Sequence, residues 1–221
     1  MTRPWQLGTG LALTALAGYV DALGFLRLGG LYTSFMSGNT TQLGVFTAEG
    51  KGNHLILPLA LLTGFLAGAV VGSGIGILAP SRWSTPIVLA FEAALLAAAL
   101  GLGLGVSELG VASVSMAVAM GAQNAVLAQV KGFRAGATFV TGALFSFGQK
   151  IAQALTRTGE PWGWVGDGLV WLFLLLGAIL GAHVYGLYGL YALALPAIAA
   201  AVFALVSTAL IARSTRKVSS A

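Results

Sequence analysis

Asp21 stands near the end of an otherwise apolar run. A carboxylate at membrane depth is costly, and as a rule it is functional or paired. Such a group can carry a proton or attract a cation. The structural alternative is that Asp21 caps a neighbouring short helix or pairs with Arg27. A second motif follows later in the chain: Gly121-Ala122-Gln123-Asn124-Ala125 is similar to Gly18-Tyr19-Val20-Asp21-Ala22. Asn124 takes the place of Asp21 there, and an amide does not titrate. One charged and one neutral group suit a site that handles one proton or cation.

The polar string Ser37-Gly38-Asn39-Thr40-Thr41 comes next. Glycine permits a break or a close backbone approach. A broken helix exposes N–H groups at one end and carbonyls at the other, and such ends mark substrate sites in transporters built from inverted repeats. Ser37, Gly38, Asn39 and Thr40 are therefore candidate lining residues. So are Thr138, Thr141 and Gly142 in the second copy, which lacks the asparagine. The alternative is that these side chains only join helices. Arg27, Lys131 and Arg134 lie between each first span and its polar string, where they could attract an anion or simply anchor at the interface. Glu92 and His183 sit inside apolar runs as candidate members of a proton relay with Asp21, or as partners in single interhelical hydrogen bonds.

Composition decides what must position these groups. Of 221 residues, 57% are hydrophobic and 8% charged, and the mean hydropathy is +0.92. So few charges cannot coat a water-facing surface. The net charge of +5 is scattered rather than clustered, which fits the positive-inside bias of membrane proteins and not a nucleic-acid-binding face. With no cysteine and two histidines, disulfides, thiolate metal sites and cysteine nucleophiles are excluded, and a zinc site is not expected. No cofactor is expected. Gly101, Gly103 and Gly105 lie in an apolar run without a preceding strand or a Walker lysine, and no serine–histidine–carboxylate set stands out, so no enzyme activity is expected.

Six apolar runs could each span a bilayer: 6–28, 55–79, 85–105, 109–130, 165–187 and 189–212. Two helix-like but polar stretches, 31–48 and 136–156, lie between them. The first run follows Arg3 like a signal peptide, yet it has a counterpart later in the chain and is read as a retained helix. Ser34-Phe35-Met36-Ser37-Gly38 matches Thr138-Phe139-Val140-Thr141-Gly142, Gly44 matches Gly148, and Gly64 and Gly68 match Gly177 and Gly181. These matches describe one membrane domain, residues 1–221, built of two internal repeats, 1–105 and 106–221.

If the polar stretches cross the membrane, there are eight short spans and parallel repeats. The Lys and Arg residues then divide 7 against 4. If they are re-entrant or broken, there are six spans and inverted repeats. The division is then 9 against 2, with Arg27 and Lys51 alone outside. The positive-inside rule favours the second, with both termini cytoplasmic. Gly64, Gly68, Gly72 and Gly76 form a smooth helix face, a seam between the repeats or a homodimer contact.

Gly18-Tyr19-Val20-Asp21-Ala22 followed by Phe35-Met36-Ser37-Gly38-Asn39-Thr40 resembles the YoaK-like family, small bacterial inner-membrane proteins classed as a domain of unknown function. The resemblance covers nearly the whole chain. It implies a multi-pass protein of about six helices in the bacterial cytoplasmic membrane, and it supplies no substrate. The expected fold is thus all-helical and membrane-embedded. The expected function is secondary transport of a small solute, with a proton carried by Asp21 as the candidate coupling ion. A passive channel and a scaffold or sensor are the alternatives.

Overall fold

The computed structural model describes residues 4–105, 109–129 and 140–219. Among them there are helices and no strands: α1 (Pro4–Arg27), α2 (Met36–Ala48), α3 (Ile56–Leu78), α4 (Ser81–Gly105), α5 (Leu109–Gln129), α6 (Val140–Leu155), α7 (Val165–Tyr188) and α8 (Ala194–Ser219). Helices are what the composition demands, because in lipid each backbone N–H and C=O needs a partner inside its own segment. Among the described residues, five stretches are long and apolar enough to cross a membrane: Leu7–Arg27, Gly52–Leu78, Ser81–Gly105, Gly110–Leu127 and Val165–Arg213. The last, of 49 residues, contains both α7 and α8. It breaks at Gly189, where φ is 55° and a 3-10 turn, Gly189–Leu193, begins. That is the position at which the sequence divides its fifth and sixth runs. The 13 residues of α2 reach only about 20 Å at 1.5 Å each, short of the roughly 30 Å hydrocarbon layer.

Glycines set the closest helix contacts. A Cβ on Gly68 would stand 2.0 Å from the Val118 carbonyl oxygen, and one on Gly72 would stand 2.8 Å from Ala122 Cα. A Cβ on Gly177 would stand 1.9 Å from the Ala15 carbonyl oxygen, and one on Gly181 would stand 2.5 Å from that of Tyr19. In both pairs the residue numbers rise together, so α3 runs parallel to α5, and α1 runs parallel to α7. Only glycine allows the backbones this close.

Directions follow from one end of the bundle. Gly103, near the end of α4, lies against Arg27, Ala112 and Leu190. The ends of α1 and α4 therefore meet the start of α5 and the turn before α8. Leu31, Leu61 and Ala117 form a buried cluster with Leu28 and Leu57 against it, which puts the start of α3 at this same end. The chain thus leaves α1 and enters α3 at one end of the bundle, with α2 between them. The same holds for α6 at the opposite end, between the end of α5 and the start of α7. The main core lies where α1, α4, α5 and the turn before α8 meet, around Leu13, Leu23, Leu96, Met116, Met120 and Leu193.

Candidate functional site

After α1 the chain turns on Gly29 and Gly30, whose φ values of 64° and 108° suit a residue without a side chain. Residues 31–35 then run without regular structure back alongside α1 to the start of α2. Their backbone groups cannot satisfy one another, and two polar side chains do it for them. Asp21 Oδ1 accepts the Thr33 N–H at 2.9 Å, the Thr33 hydroxyl at 3.1 Å and the Ser34 N–H at 2.6 Å. Asp21 Oδ2 accepts the Ser34 hydroxyl at 2.6 Å. Asn39, fully buried on the first turn of α2, pairs with both backbone groups of Tyr32. Its Oδ1 accepts the N–H at 2.9 Å, and its Nδ2 donates to the C=O at 2.7 Å. The sequence presents Asp21 and Asn39 as path residues. In the structure both hold an irregular segment beside a membrane helix.

A cavity of 550 Å³ opens beside this corner. Its walls come from α1 (Gly18, Asp21, Phe25), from the irregular segment (Tyr32, Ser34, Phe35), from the first turn of α6 (Val140, Thr141) and from α7 (Leu174, Ala178). Asp21 and Thr141, from distant parts of the sequence, therefore share one wall. The remaining candidates distribute differently. Ser37 and Thr40 are exposed on α2, and the Thr40 hydroxyl bonds back to the Met36 carbonyl at 2.8 Å. Gly38 packs on the rings of Phe35 and Tyr32, and Gly142 is exposed on α6. None of these four borders the cavity. Asn124 donates to Met120 C=O of its own helix at 2.9 Å, and its buried Oδ1 has no partner among the described residues. Thr138, Lys131 and Arg134 lie outside the described residues.

The proton-relay candidates do not form a chain. Glu92 is wholly buried on α4, and neither carboxylate oxygen has a partner among the described residues. His183 is exposed on α7, and α4 and α7 are not in contact. The Arg27 guanidinium lies beside Gly103, at the end of the bundle and away from the cavity wall. It forms no ion pair with Asp21. The ion pairs among the described residues are Lys51–Glu49 and Lys150–Asp167, the latter joining α6 to α7. No cluster of described His, Asp or Glu residues could hold a metal ion.

Several site residues escaped the sequence reading. Among the described residues, Thr33 and Ser34 supply the hydrogen bonds to Asp21, and Phe25, Tyr32 and Phe35 form the aromatic wall. The signal for the first two was present: adjacent hydroxyl residues follow a double glycine, a short loop's length after an in-span carboxylate.

Residues 9–206 match the family model described as protein of unknown function (DUF1275). The chain belongs to this family. A curated relative, the UPF0700 transmembrane protein RA0705 of Rhizobium meliloti (strain 1021), is 38% identical over 177 residues, which is 78% of this chain and 75% of the relative. No solved structure matches the chain. The DUF1275 match and the transmembrane relative agree with the YoaK-like resemblance read from the sequence. This DUF1275 chain is a multi-pass helical membrane protein.

Proposed function

We propose that the chain is a secondary transporter of a small solute, built of two inverted repeats in the bacterial inner membrane. The observation that carries the reading is the 550 Å³ cavity, whose polar wall joins Asp21 and Ser34 of the first repeat to Thr141 of the second. A cavity of this size suits a small molecule. Irregular backbone at membrane depth is tolerated where it is buried or lines such a space.

The seams support the duplication. Gly68 and Gly72 meet Val118 and Ala122 as Gly177 and Gly181 meet Ala15 and Tyr19. Gly121 meets the Phe65 carbonyl as Gly18 meets that of Leu174. Exchanging α1 with α5 and α3 with α7 thus reproduces all three contacts. The exchange also shifts the register: Gly68 and Gly72, rather than Gly64 and Gly68, correspond to Gly177 and Gly181. Opposed directions of α1 and α5 support six spans with α2 and α6 re-entrant. Nine of the 11 Lys and Arg residues then fall on the side of both termini, which is read as cytoplasmic.

A proton on Asp21 Oδ2, with the Ser34 hydroxyl turned to accept from it, is the proposed coupling step. No catalytic residue or cofactor is assigned. Gly64, Gly68 and Gly72 face contacts within the chain, so a homodimer would use another surface.

Counterflow in proteoliposomes tests the proposal. Saturable exchange of a solute supports a carrier, and linear flux without exchange marks a channel. One observation favours a scaffold instead: Asp21 and Asn39 are occupied by residues 32–34. If no solute moves and variants at Asp21 change stability alone, the scaffold reading replaces transport.

A further inference from the structure

We infer that the cavity beside Asp21 binds an amphiphilic organic ammonium ion, whose N–H donates to Asp21 Oδ2 and whose apolar body lies against Phe25, Tyr32 and Phe35. The inference names a substrate class and so rests on the transport reading.

The acceptor count comes first. A carboxylate offers about four lone-pair directions over its two oxygens. Asp21 Oδ1 already takes three donors, while Oδ2 takes only the Ser34 hydroxyl. The described donors leave one acceptor direction, on the oxygen bonded to a residue that itself borders the cavity. Charge comes second. All four donors to Asp21 are neutral, and no described cation pairs with it. The carboxylate is ordered, and at this mostly apolar wall its charge has no cationic partner among the described residues. An anion would be repelled there, and a neutral solute would leave the charge unpaired.

The rings narrow the class. Phe25 and Tyr32 have centroids 5.2 Å apart, and Tyr32 and Phe35 5.1 Å apart in an edge-on arrangement. Three linked rings next to one carboxylate favour a cation with an apolar or aromatic body, through ring quadrupoles and apolar contact. A hard inorganic cation fits less well. Calcium takes six to eight oxygens, and magnesium takes six, several of them waters. The side-chain oxygens of the residues in this wall are those of one carboxylate, Asp21, and of the Ser34, Thr141 and Tyr32 hydroxyls, beside aromatic and aliphatic carbon.

The test uses the full chain in nanodiscs with 2-phenylethylammonium chloride as probe. 2-Phenylethanol and phenylacetate, of similar outline but neutral or anionic, are the controls. Calorimetry and thermal unfolding should show binding and stabilisation by the ammonium alone. Phe25→Leu, which leaves the hydrogen bonds of Asp21 intact, should weaken binding on the order of tenfold without lowering Tm. Asp21→Asn should abolish the preference for the ammonium over the alcohol. Should that variant not fold, Phe25→Leu decides. Equal binding of alcohol and ammonium, protection by sodium chloride alone, or unchanged binding in Phe25→Leu overturns the inference. Binding without counterflow of labelled ammonium refutes transport and keeps the site. Counterflow of a different solute with no ammonium binding does the reverse.

Discussion

Two seams and two corners can be set side by side in this molecule. Along the seams, Gly68 and Gly72 press on Val118 and Ala122, and Gly177 and Gly181 press on Ala15 and Tyr19. The corners part company. Asp21 gathers four hydrogen bonds from the segment that follows α1, whereas Asn124 turns its amide nitrogen back onto its own helix at Met120. The proposed repeats therefore keep the backbone packing that holds them together and differ in the side chain that can carry charge. Packing between carbonyls and glycines admits no substitute. A polar corner tolerates change as long as its buried donors find acceptors.

The largest effect is expected in the seams. Gly68→Ala and Gly177→Ala each put a methyl group within 2.0 Å of a carbonyl oxygen on a neighbouring helix. Each should cost at least the roughly 1–3 kcal/mol of an overpacked core, seen as loss of the monodisperse peak in detergent chromatography. Gly74→Ala and Gly101→Ala meet nothing within 4 Å and should leave the peak unchanged. Comparable damage from all four would end the case for two equivalent seams.

The corners should separate next. Asp21→Ala removes the oxygen that accepts from the Thr33 and Ser34 N–H groups, at about 1–3 kcal/mol for each donor left unpaired. Asn124→Ala removes one bond to its own helix and should cost about 1 kcal/mol or less. Thermal unfolding of the two variants side by side measures the asymmetry, and equal losses would contradict it.

A smaller effect of opposite sign is expected at Glu92, which has no polar counterpart in α8 that can be aligned. Its oxygens are buried without described partners, so Glu92→Leu should raise Tm or leave it unchanged. Loss of solute flux at unchanged Tm would instead give Glu92 a place in the transport path. The smallest effect belongs to Lys150→Ala. It breaks the partly exposed pair with Asp167 and should cost no more than about 1 kcal/mol. A larger loss would mean that α6 depends on this pair more than α2 depends on Lys51–Glu49.

Much of the architecture was legible because hydropathy is a length measurement. The runs 6–28, 55–79 and 85–105 anticipate α1, α3 and α4 to within a few residues, and the polar stretches 31–48 and 136–156 contain α2 and α6. The seam register was not legible. Gly64, Gly68, Gly72 and Gly76 repeat every four residues, so a shift of one helical turn matches glycine to glycine equally well. Contact with the facing helix alone breaks that tie. Asp21 stood out for its cost in lipid, but its partners were hidden, since a one-dimensional pattern does not show that Thr33 and Ser34 fold back beside it. Thr40 misled for a related reason: a threonine hydroxyl on a helix can bond to its own preceding turn, as it does here to Met36.

The cage around Asp21 also bears on how the chain is made. Synthesis runs from the N-terminus, so α1 leaves the ribosome with its carboxylate bare. An aspartate at the centre of a nascent segment opposes insertion by the translocon at about 2.5–3.5 kcal/mol, and Asp21, nearer the end of α1, opposes it by less. The groups that satisfy it, in Thr33 and Ser34, emerge only after the Gly29–Gly30 turn. The unit that partitions into the bilayer is therefore α1 together with its returning segment. A nascent chain arrested before Thr33 should be released from the translocon more slowly than one arrested after Asn39.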